Sequence, residues 1–521
     1  MHIVMVAAEN DALPGFKVGG IGDVLRDLPP ALAALDCAVT VVTPSYGLRD
    51  DLPSARHIDT VNVAFRGTAE PVEILEARPD NATPGVRNLV LDHAAFSACG
   101  RGKIYCDDPP EQPFASDASK FALFAAAVAE ALKQHCFGAV DVVHLHDWHS
   151  AALLLLRRYH RRYRGLQRLR CVYTLHNLSL QGIRPLRGVP SALESWFPDL
   201  RYVTADVADP RWPDCINLMA VGIRFADAVH TVSPSYAAEI LRPSAIATNA
   251  YHGGEGLEAD LNAAQDAGRL YGFLNGCDYP DDVAAPPAWP ALLELMRTEN
   301  LRFAAARQEL GSAHFIAHTR LAEFSAKRPA DLLTSVGRIT AQKVRLLHTT
   351  TGNGQSALAG ILDALGDDGL FVILGTGDPD FEQFLAATSA GRRNLVFLRG
   401  YSAALSHALY GAGDLFVMPS SYEPCGISQM LAMRAGQPCL VHEVGGLRDT
   451  VTPGVNGFGF SADTLRTQAD ALVATAGAAL ALRRTQPRQW QMLCQAAARA
   501  RFPWRAAAEA CRQRLYPATP A

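Results

Sequence analysis

The strongest constraint on the fold is a repeated alternation between short apolar runs and longer stretches with helical spacing. In the first half the apolar runs are HIVMVAA (2–8), CAVTVVTP (37–44), VDVVHLHD (140–147), CVYTLHN (171–177) and DAVHTVSP (227–234). In the second half they are LLTSVGR (332–338), LFVILGTGD (370–378), NLVFLRGY (394–401), DLFVMPSS (414–421) and QPCLVHE (437–443). Continuous apolar strands that alternate with helices predict parallel sheets covered on both faces. The two series therefore predict an α/β protein with two Rossmann-like domains.

The length of 521 residues is too great for a single core and also indicates more than one domain. We predict a first domain over residues 1–285, a helical connector over 286–327, a second domain over 328–495 and a C-terminal segment over 496–521. The boundary lies in PDDVAAPPAW (280–289), which is rich in proline and typical of an irregular linker.

The charge is nearly balanced, with 48 Lys and Arg against 52 Asp and Glu. We therefore expect neither nucleic acid nor an anionic membrane as a partner. The arginine-rich run 157–164 is interpreted as the solvated face of a helix, because no nucleic-acid motif accompanies it. The N-terminus, MHIVMVAAEN, predicts a buried strand rather than a signal peptide, and no apolar run is long enough to span a bilayer. We expect a cytoplasmic protein.

The eleven cysteines are scattered along the chain and form no C-x-x-C pair. This pattern predicts neither a zinc ribbon nor a dithiol redox motif. An odd number of dispersed cysteines fits a reducing compartment better than a disulfide scaffold.

The first glycine-rich segment, KVGGIGD (17–23), follows the first strand and precedes a helix. Its glycines free the backbone to approach a phosphate, the helix N-terminus adds its dipole, and Lys17 adds a positive charge. Taken alone, a tight turn with a surface lysine explains the segment equally well.

Polar residues stand at several other predicted strand ends of the first half, where α/β sheets bind ligands. They are Asp147 in HDWH (146–149), His176 in LHN, and Asn275 in LNG. A metal site at HDWH is disfavoured because no third well-placed ligand follows, and we expect a sugar-binding or cleft-lining role. The alternative is that these are buried, hydrogen-bonded polar residues and an ordinary Asn-Gly turn.

Two cations open the second half in GRITAQK (337–343). Arg338 offers a planar fork and Lys343 a compact charge, and both could converge on one diphosphate. This arrangement suits a leaving group that gains negative charge. The alternative is two solvated surface cations.

The segment PSSYEPCGISQ (419–429) follows a strand and opens a predicted helix over 427–435. The backbone amides of 426–429 would point at an anion. Because a phosphate repels a carboxylate, Glu423 is expected to hold hydroxyl groups of a ribose or sugar. A further glycine turn follows at Gly445 and Gly446.

The ordered series KVGGIGD, HDWHS, TLHNLSLQGI, TVSPSYAAEI, LNG, GRITAQK, GTGDP, EPCGISQ and GGLRDTV resembles bacterial glycogen synthases and plant starch synthases. The likeness runs from the N-terminus to about residue 460, and FPWRAAAEACRQRLY (502–516) is similar to the closing helix of the family, which packs on the N-terminal domain.

The resemblance implies the GT-B fold of glycosyltransferase family 5, with two Rossmann-like domains whose parallel sheets face across a cleft. It also implies retaining transfer of glucose from ADP-glucose, or UDP-glucose in some relatives, to the non-reducing end of an α-1,4-glucan. The expected partners are this donor and a glycogen or maltooligosaccharide acceptor. No metal and no cofactor beyond the donor substrate are expected.

The resemblance assigns catalytic roles to Asp147, His176, Arg338, Lys343 and Glu423. It assigns donor binding to Lys17, Gly19, Gly20, Asp23, Asn275, Tyr401, Cys425, Gly426, Ile427 and Ser428. None of these side chains is an obvious covalent nucleophile, so catalysis is expected from alignment and electrostatics.

Several positions depart from the family pattern. Ala220 replaces a lysine, Val344 replaces a glycine, and Leu431 stands where tyrosine is frequent. One alternative is a related GT-B transferase with another acceptor or a UDP-glucose donor. Another is a non-catalytic protein that binds glucan or nucleotide sugar, which the retained phosphate-handling residues disfavour.

Overall fold

A computed structural model describes residues 1–79, 81–279, 285–306, 311–325 and 327–517. The chain divides into two compact units. The first unit comprises Met1–Ser244, Gly253–Gly276 and Pro503–Ala521, and the second comprises Ala245–His252 and Cys277–Phe502.

The strands of the first unit are β1 (His2–Val6), β2 (Ala38–Pro44), β3 (Arg56–Phe65), β4 (Thr68–Ala77), β5 (Val86–Asp92), β6 (Val142–His146), β7 (Arg170–Leu175), β8 (Ile183–Pro185), β9 (Cys215–Asn217), β10 (Ala228–Thr231) and β11 (Leu270–Gly272). Those of the second unit are β12 (Leu332–Val336), β13 (Leu370–Gly375), β14 (Leu395–Arg399), β15 (Leu415–Met418), β16 (Cys439–His442) and β17 (Gly457–Phe460).

The α-helices are, in chain order, α1 (Gly20–Ala33), α2 (Ala115–Lys133), α3 (Trp148–Tyr159), α4 (Leu193–Trp196), α5 (Thr204–Val207), α6 (Leu218–Phe225), α7 (Pro234–Glu239), α8 (Ile246–Asn249), α9 (Glu258–Asp266), α10 (Trp289–Ala306), α11 (Ser312–Ala322), α12 (Ala341–His348), α13 (Ala357–Leu365), α14 (Pro379–Gly391), α15 (Ala403–Ala412), α16 (Ser428–Arg434), α17 (Gly445–Thr450), α18 (Leu465–Thr485), α19 (Pro487–Arg499) and α20 (Trp504–Ala510). Short 3-10 segments lie at Arg49–Asp51, Ala94–Ser97 and Arg161–Arg168, and a π-helical turn at Cys511–Leu515 follows α20.

The first unit contains a nine-stranded sheet in the order β11-β10-β7-β6-β1-β2-β5-β4-β3. The strands from β11 to β5 are parallel, and β4 and β3 add an antiparallel edge. In the centre, Val4 of β1 lies between Thr40 and Val143, and all three are buried. The edge strand β3 has a period-2 burial pattern over Val61, Val63 and Phe65, because only one of its faces is buried.

The second unit contains a six-stranded, fully parallel sheet in the order β14-β13-β12-β15-β16-β17. Successive residues of β13 enter different cores: Phe371 packs with Ile361 of α13, whereas Val372 packs with Met296 of α10. Helices therefore cover both faces, which is why this strand is apolar throughout. The predicted α/β class with parallel sheets is confirmed.

The division between the units falls at Gly276, earlier than the expected boundary at 285. Of the proposed linker 280–289, residues 280–284 lie outside the described residues. Helix α10, which we placed in a separate connector, is part of the second unit because Met296 and Phe303 enter one of its cores. The C-terminal segment is also divided, since α19 belongs to the second unit and α20 to the first.

Helix α20 packs with α1 on the first sheet. Trp504 and Leu515 share a core with Leu28 of α1 and with Ile3 of β1. The end of the described chain is thus bound into the first unit through apolar burial.

The cysteines form no disulfide scaffold, but one disulfide joins Cys99 and Cys106. The other nine cysteines are not disulfide-bonded. None of the described helices is long and apolar enough to cross a membrane.

Candidate active site

In the first unit, the candidate residues follow the carboxyl ends of neighbouring parallel strands. Asp147 comes directly after β6 and His176 directly after β7, while the glycine-rich loop links β1 to α1. This edge is the usual ligand-binding edge of an α/β sheet.

The glycine-rich loop is wrapped around the carboxylate of Glu9. Oxygen Oε2 of Glu9 accepts hydrogen bonds from the backbone N–H groups of Val18 at 2.9 Å and Gly19 at 2.6 Å. Oxygen Oε1 accepts one from the Tyr105 hydroxyl at 2.7 Å. The Gly19 amide, which we expected near a diphosphate, is thus engaged by a buried side chain, while Gly20 opens α1 with open space around its Cα.

Lys17 lies between two carboxylates of the same segment. Its ammonium is 3.1 Å from Asp11 and 2.6 Å from Asp23, and Arg26 pairs with both of these acids. Burial lowers the pKa of Lys17, but hydrogen bonds and charges from Asp23 and Asp11 outweigh it and raise the pKa overall. Asp23 therefore holds the Lys17 ammonium in its charged form at the N-terminal turn of α1.

Asp147 is buried immediately before α3, with a positive φ of 53° and a ψ of −178°. Its Oδ1 accepts the backbone N–H of His176 at 2.7 Å. Burial raises the pKa of Asp147 to about 7, although the amides of His176 and Asn177 partly oppose this rise. The structure thus brings Asp147 and His176 together, as the motif positions predicted.

His176 belongs to a buried group of histidines. Its Nε2 is hydrogen-bonded to Nδ1 of His146 at 2.9 Å, and the two rings stack. His146 also stacks on His144, which bonds to the hydroxyls of Tyr516 and Thr174. Burial lowers the pKa of His176 to about 3, so this imidazole is neutral at pH 7.

Two other residues of the first unit lie near these motifs. Asn275 lines a small cavity together with His144, His146 and His176. His149 instead packs against Phe121 and Trp148, in keeping with a structural role. Within the described residues, no group of three or more His, Cys, Asp or Glu is arranged to hold a metal ion.

In the second unit, Lys343 of α12 forms an ion pair with Glu423 in the loop after β15. The Ser420 hydroxyl donates to the same carboxylate oxygen at 3.1 Å. Gln342 fastens the two segments, since its side chain donates to the Tyr422 carbonyl and its own carbonyl accepts from the Ser421 amide, both at 2.8 Å. Glu423 is buried, whereas the side chain of Arg338, in the turn between β12 and α12, is exposed.

The loop from Cys425 to Ser428 is shaped by close backbone packing. Gly426 has φ of +76°. The side-chain amide Nε2 of Gln429 donates to the carbonyls of Cys425 and Gly426 at 3.2 and 3.0 Å. Ile427 precedes α16, which begins at Ser428, one residue later than predicted. The Ser428 hydroxyl accepts a hydrogen bond from Tyr410 at 3.0 Å.

The second glycine turn packs directly on this loop. Gly446 donates to the Glu423 carbonyl at 3.0 Å. A Cβ on Gly445 would lie 1.9 Å from that carbonyl oxygen, and one on Gly446 would lie 2.2 Å from the Cys425 oxygen. Both positions therefore require glycine for the placement of Glu423.

Tyr401 is 67% exposed after β14, and no contact of its ring with the residues above is seen in the described parts of the chain. Sequence reasoning missed Glu9, Tyr105, His146 and His252, which stacks on Tyr422 with ring centroids 4.6 Å apart. Glu9 and Tyr105 stand in no glycine-rich or charged motif. His146 had a signal, since it opens HDWH, but only the fold shows that it contacts His176.

Two protein families match the sequence. The starch synthase catalytic domain family matches residues 2–263, and the glycosyl transferases group 1 family matches residues 353–477. Curated relatives include the glycogen synthase of Streptococcus equi subsp. equi, 34% identical over 463 residues, with 87% of this chain and 85% of the relative covered. The glycogen synthase of Geobacillus thermodenitrificans is 32% identical over 516 residues, with coverage of 97% and 96%.

Solved structures resemble the chain over nearly its whole length. The catalytic domain of starch synthase IV from Arabidopsis thaliana, bound to ADP and acarbose, has a TM-score of 0.74 and 26% identity, with 99% of this chain and 98% of that chain covered. Sucrose-phosphate synthase from Thermosynechococcus elongatus has a TM-score of 0.54 and 18% identity, with 98% of each chain covered. At that identity the second likeness shows the fold alone.

Proposed function

Because this chain belongs to the glycogen and starch synthase family of GT-B glycosyltransferases, we propose that it transfers glucose from ADP-glucose to the non-reducing end of an α-1,4-glucan, with retention of configuration. The observation that carries the proposal is the Lys343–Glu423 pair. The Lys343 ammonium lies beside the buried Glu423 carboxylate at the carboxyl edge of the second sheet, and this carboxylate can accept hydrogen bonds from hydroxyl groups.

In this proposal, the second unit handles the diphosphate and the sugar hydroxyls of the donor. The Lys343 ammonium gives up part of its contact with Glu423 to bind a phosphate oxygen. The planar guanidinium of Arg338 donates hydrogen bonds to the same diphosphate. Glu423 then accepts hydrogen bonds from donor hydroxyls. Arg338 is exposed to solvent, so the donor can reach its side chain.

In this proposal the first unit binds the glucose, and its glycine-rich loop binds near the diphosphate. His176 is neutral, so it can donate to a sugar hydroxyl without adding charge. Asp147 holds the His176 backbone in place through its 2.7 Å hydrogen bond. Lys17 provides a further cation, which Asp23 orients.

The proposed reaction requires no covalent intermediate on the protein. The acceptor hydroxyl forms a bond to C1 of glucose while the bond from C1 to the diphosphate breaks. The departing phosphate oxygen takes the acceptor proton, and the two cations of the second unit stabilise the charge that develops. We propose that these side chains suffice, with neither a metal nor a cofactor beyond the donor substrate.

The proposal is tested by incubating the protein with glycogen and either ADP-glucose or UDP-glucose in the presence of EDTA. Release of nucleoside diphosphate and incorporation of glucose are followed together, with Glu423→Ala as the inactive control. We expect incorporation from ADP-glucose that survives EDTA and is lost in the variant. Release without incorporation would instead indicate another acceptor, and preference for UDP-glucose would correct the donor.

A further inference from the structure

The disulfide between Cys99 and Cys106 lies in the segment that precedes α2 in the first unit. All eleven cysteines are among the described residues, and this is the one pair that is bonded. Both cysteines are half-buried, so a small reductant can reach them. Tyr105, the residue next to Cys106, donates its hydroxyl hydrogen bond to Oε1 of Glu9.

Glu9 depends on Tyr105 because its carboxylate is only 2% exposed. One of its oxygens serves the Val18 and Gly19 amides, and the other accepts the Tyr105 hydroxyl. A buried carboxylate oxygen that loses its donor is destabilised. Displacement of Tyr105 would therefore disturb the group around which the glycine-rich loop is folded.

Several contacts hold the segment that carries Tyr105. Lys120 donates to the Ile104 carbonyl at 2.5 Å, Asp117 accepts the Cys106 amide at 3.1 Å, and the Tyr105 ring packs on Phe121 and His149. The disulfide adds a covalent link, which a reductant can remove. The Lys120 ammonium also lies 3.8 Å from the Cys106 sulfur and 2.7 Å from Asp117.

We propose that Cys99–Cys106 is a redox modification site that controls donor binding at the glycine-rich loop. The disulfide holds Tyr105 against Glu9, and Glu9 holds the loop that precedes α1. This inference rests on the proposed function, because it concerns the donor of that reaction. Reduction loosens the loop and weakens binding of the nucleotide sugar.

The modification is a thiol–disulfide exchange with a dithiol reductant. One reductant thiolate attacks the Cys99 sulfur, the S–S bond breaks, and the Cys106 thiolate leaves beside Lys120. The second reductant thiolate then displaces Cys99. The protein gains two electrons and ends with two thiols, and the reductant becomes a disulfide.

The test compares oxidised and dithiol-treated protein, with thiols counted under denaturing conditions to verify each state. The Michaelis constant for ADP-glucose is measured with glycogen, and binding of ADP is measured by calorimetry. Reduction is expected to raise both the Michaelis constant and the ADP dissociation constant by about tenfold or more, in keeping with the loss of one hydrogen bond to a charged group.

Three variants separate the mechanism from general damage. Cys99→Ser should show the raised constants without reductant and no further response to it. Tyr105→Phe should show them with the disulfide intact. Cys136→Ser removes a free, half-buried cysteine elsewhere in the first unit and should retain the full response.

Equal constants for the two redox states, or tighter binding after reduction, would overturn this inference while leaving glucose transfer itself standing. A response to reductant in Cys99→Ser would also overturn it. Absence of glucose transfer in both states would refute the proposed function instead, and the calorimetric comparison would still decide the coupling.

Discussion

Lys343 and Glu423 form an ion pair that joins the N-terminal turn of α12 to the loop after β15. The side chains are 20% and 8% exposed, so water does little to screen either charge. The pair brings together two segments that lie far apart in the sequence, and we propose that it provides the charge and hydrogen-bonding groups that bind a sugar diphosphate.

Replacing Glu423 by glutamine should lower kcat by about 100-fold or more, because a preorganised charged group is lost where the reaction needs it. Lys343 also loses its counter-charge in a largely buried position, so the free energy of unfolding should fall by about 3 kcal/mol. Steady-state kinetics and urea unfolding measure the two effects. Asp363→Asn, which breaks the exposed pair with Arg392, should change neither. Full activity in Glu423→Gln would remove this residue from the site.

Arg338 should matter for the donor but not for stability. Its side chain is exposed, so Arg338→Ala should leave the free energy of unfolding within about 0.5 kcal/mol of the wild type. The Michaelis constant for ADP-glucose should rise by about tenfold or more, and Arg338→Lys should recover only part of it because lysine lacks the planar fork. Arg488→Ala, an exposed arginine of the same unit, is the control. An unchanged Michaelis constant would place Arg338 outside the donor site.

Asp147 should make stability depend on pH. Burial raises its pKa to about 7 in the folded chain, above the usual value of 3.8, so the folded state binds more protons between these pH values. Stability from this group is complete below about pH 4 and is lost as the pH rises to about 7, with a slope of at most about 1.4 kcal/mol per pH unit. Asp147→Asn cannot titrate, so urea unfolding across this range should show the wild type losing stability relative to the variant. A pH-independent difference would contradict the raised pKa.

Gly446→Ala should displace the Glu423 loop, because the added Cβ would lie 2.2 Å from the Cys425 carbonyl oxygen. We expect a loss of about 1–3 kcal/mol in the free energy of unfolding, typical of overpacking, with a parallel fall in kcat. Gly391→Ala is the matched control, since it is also helical and a Cβ there meets nothing within 4 Å. Equal effects of the two substitutions would show that the close approach is unimportant.

The parallel strands could be predicted from the sequence because burial on both faces makes them apolar throughout. Strand β13, Leu370–Gly375, is fully buried and lies within the predicted run 370–378. Strands β3 and β4 were not among the predicted strands. In β3 the burial alternates, with Val61, Val63 and Phe65 inward, and this weaker period-2 signal was overlooked.

The candidate site was predictable only where a motif marks a strand end. Asp147 and His176 could be placed at one sheet edge because parallel strands end together. The contact between Tyr105 and Glu9 could not be predicted, since the two residues are 96 positions apart and neither stands in a chemical motif. The glycine pattern of the loop does not predict that the Val18 and Gly19 amides donate to Glu9; only the folded loop shows these hydrogen bonds.

Extension of a labelled maltooligosaccharide by the full chain with ADP-glucose tests the central claim most directly. Glucose transfer to the non-reducing end predicts a ladder of products, each longer by one glucose, which an α-1,4-specific exo-glucosidase degrades completely from the non-reducing end. The Glu423→Gln variant should form no ladder under the same conditions. Release of ADP without any longer product, or no reaction from a folded chain that binds ADP, would contradict the claim.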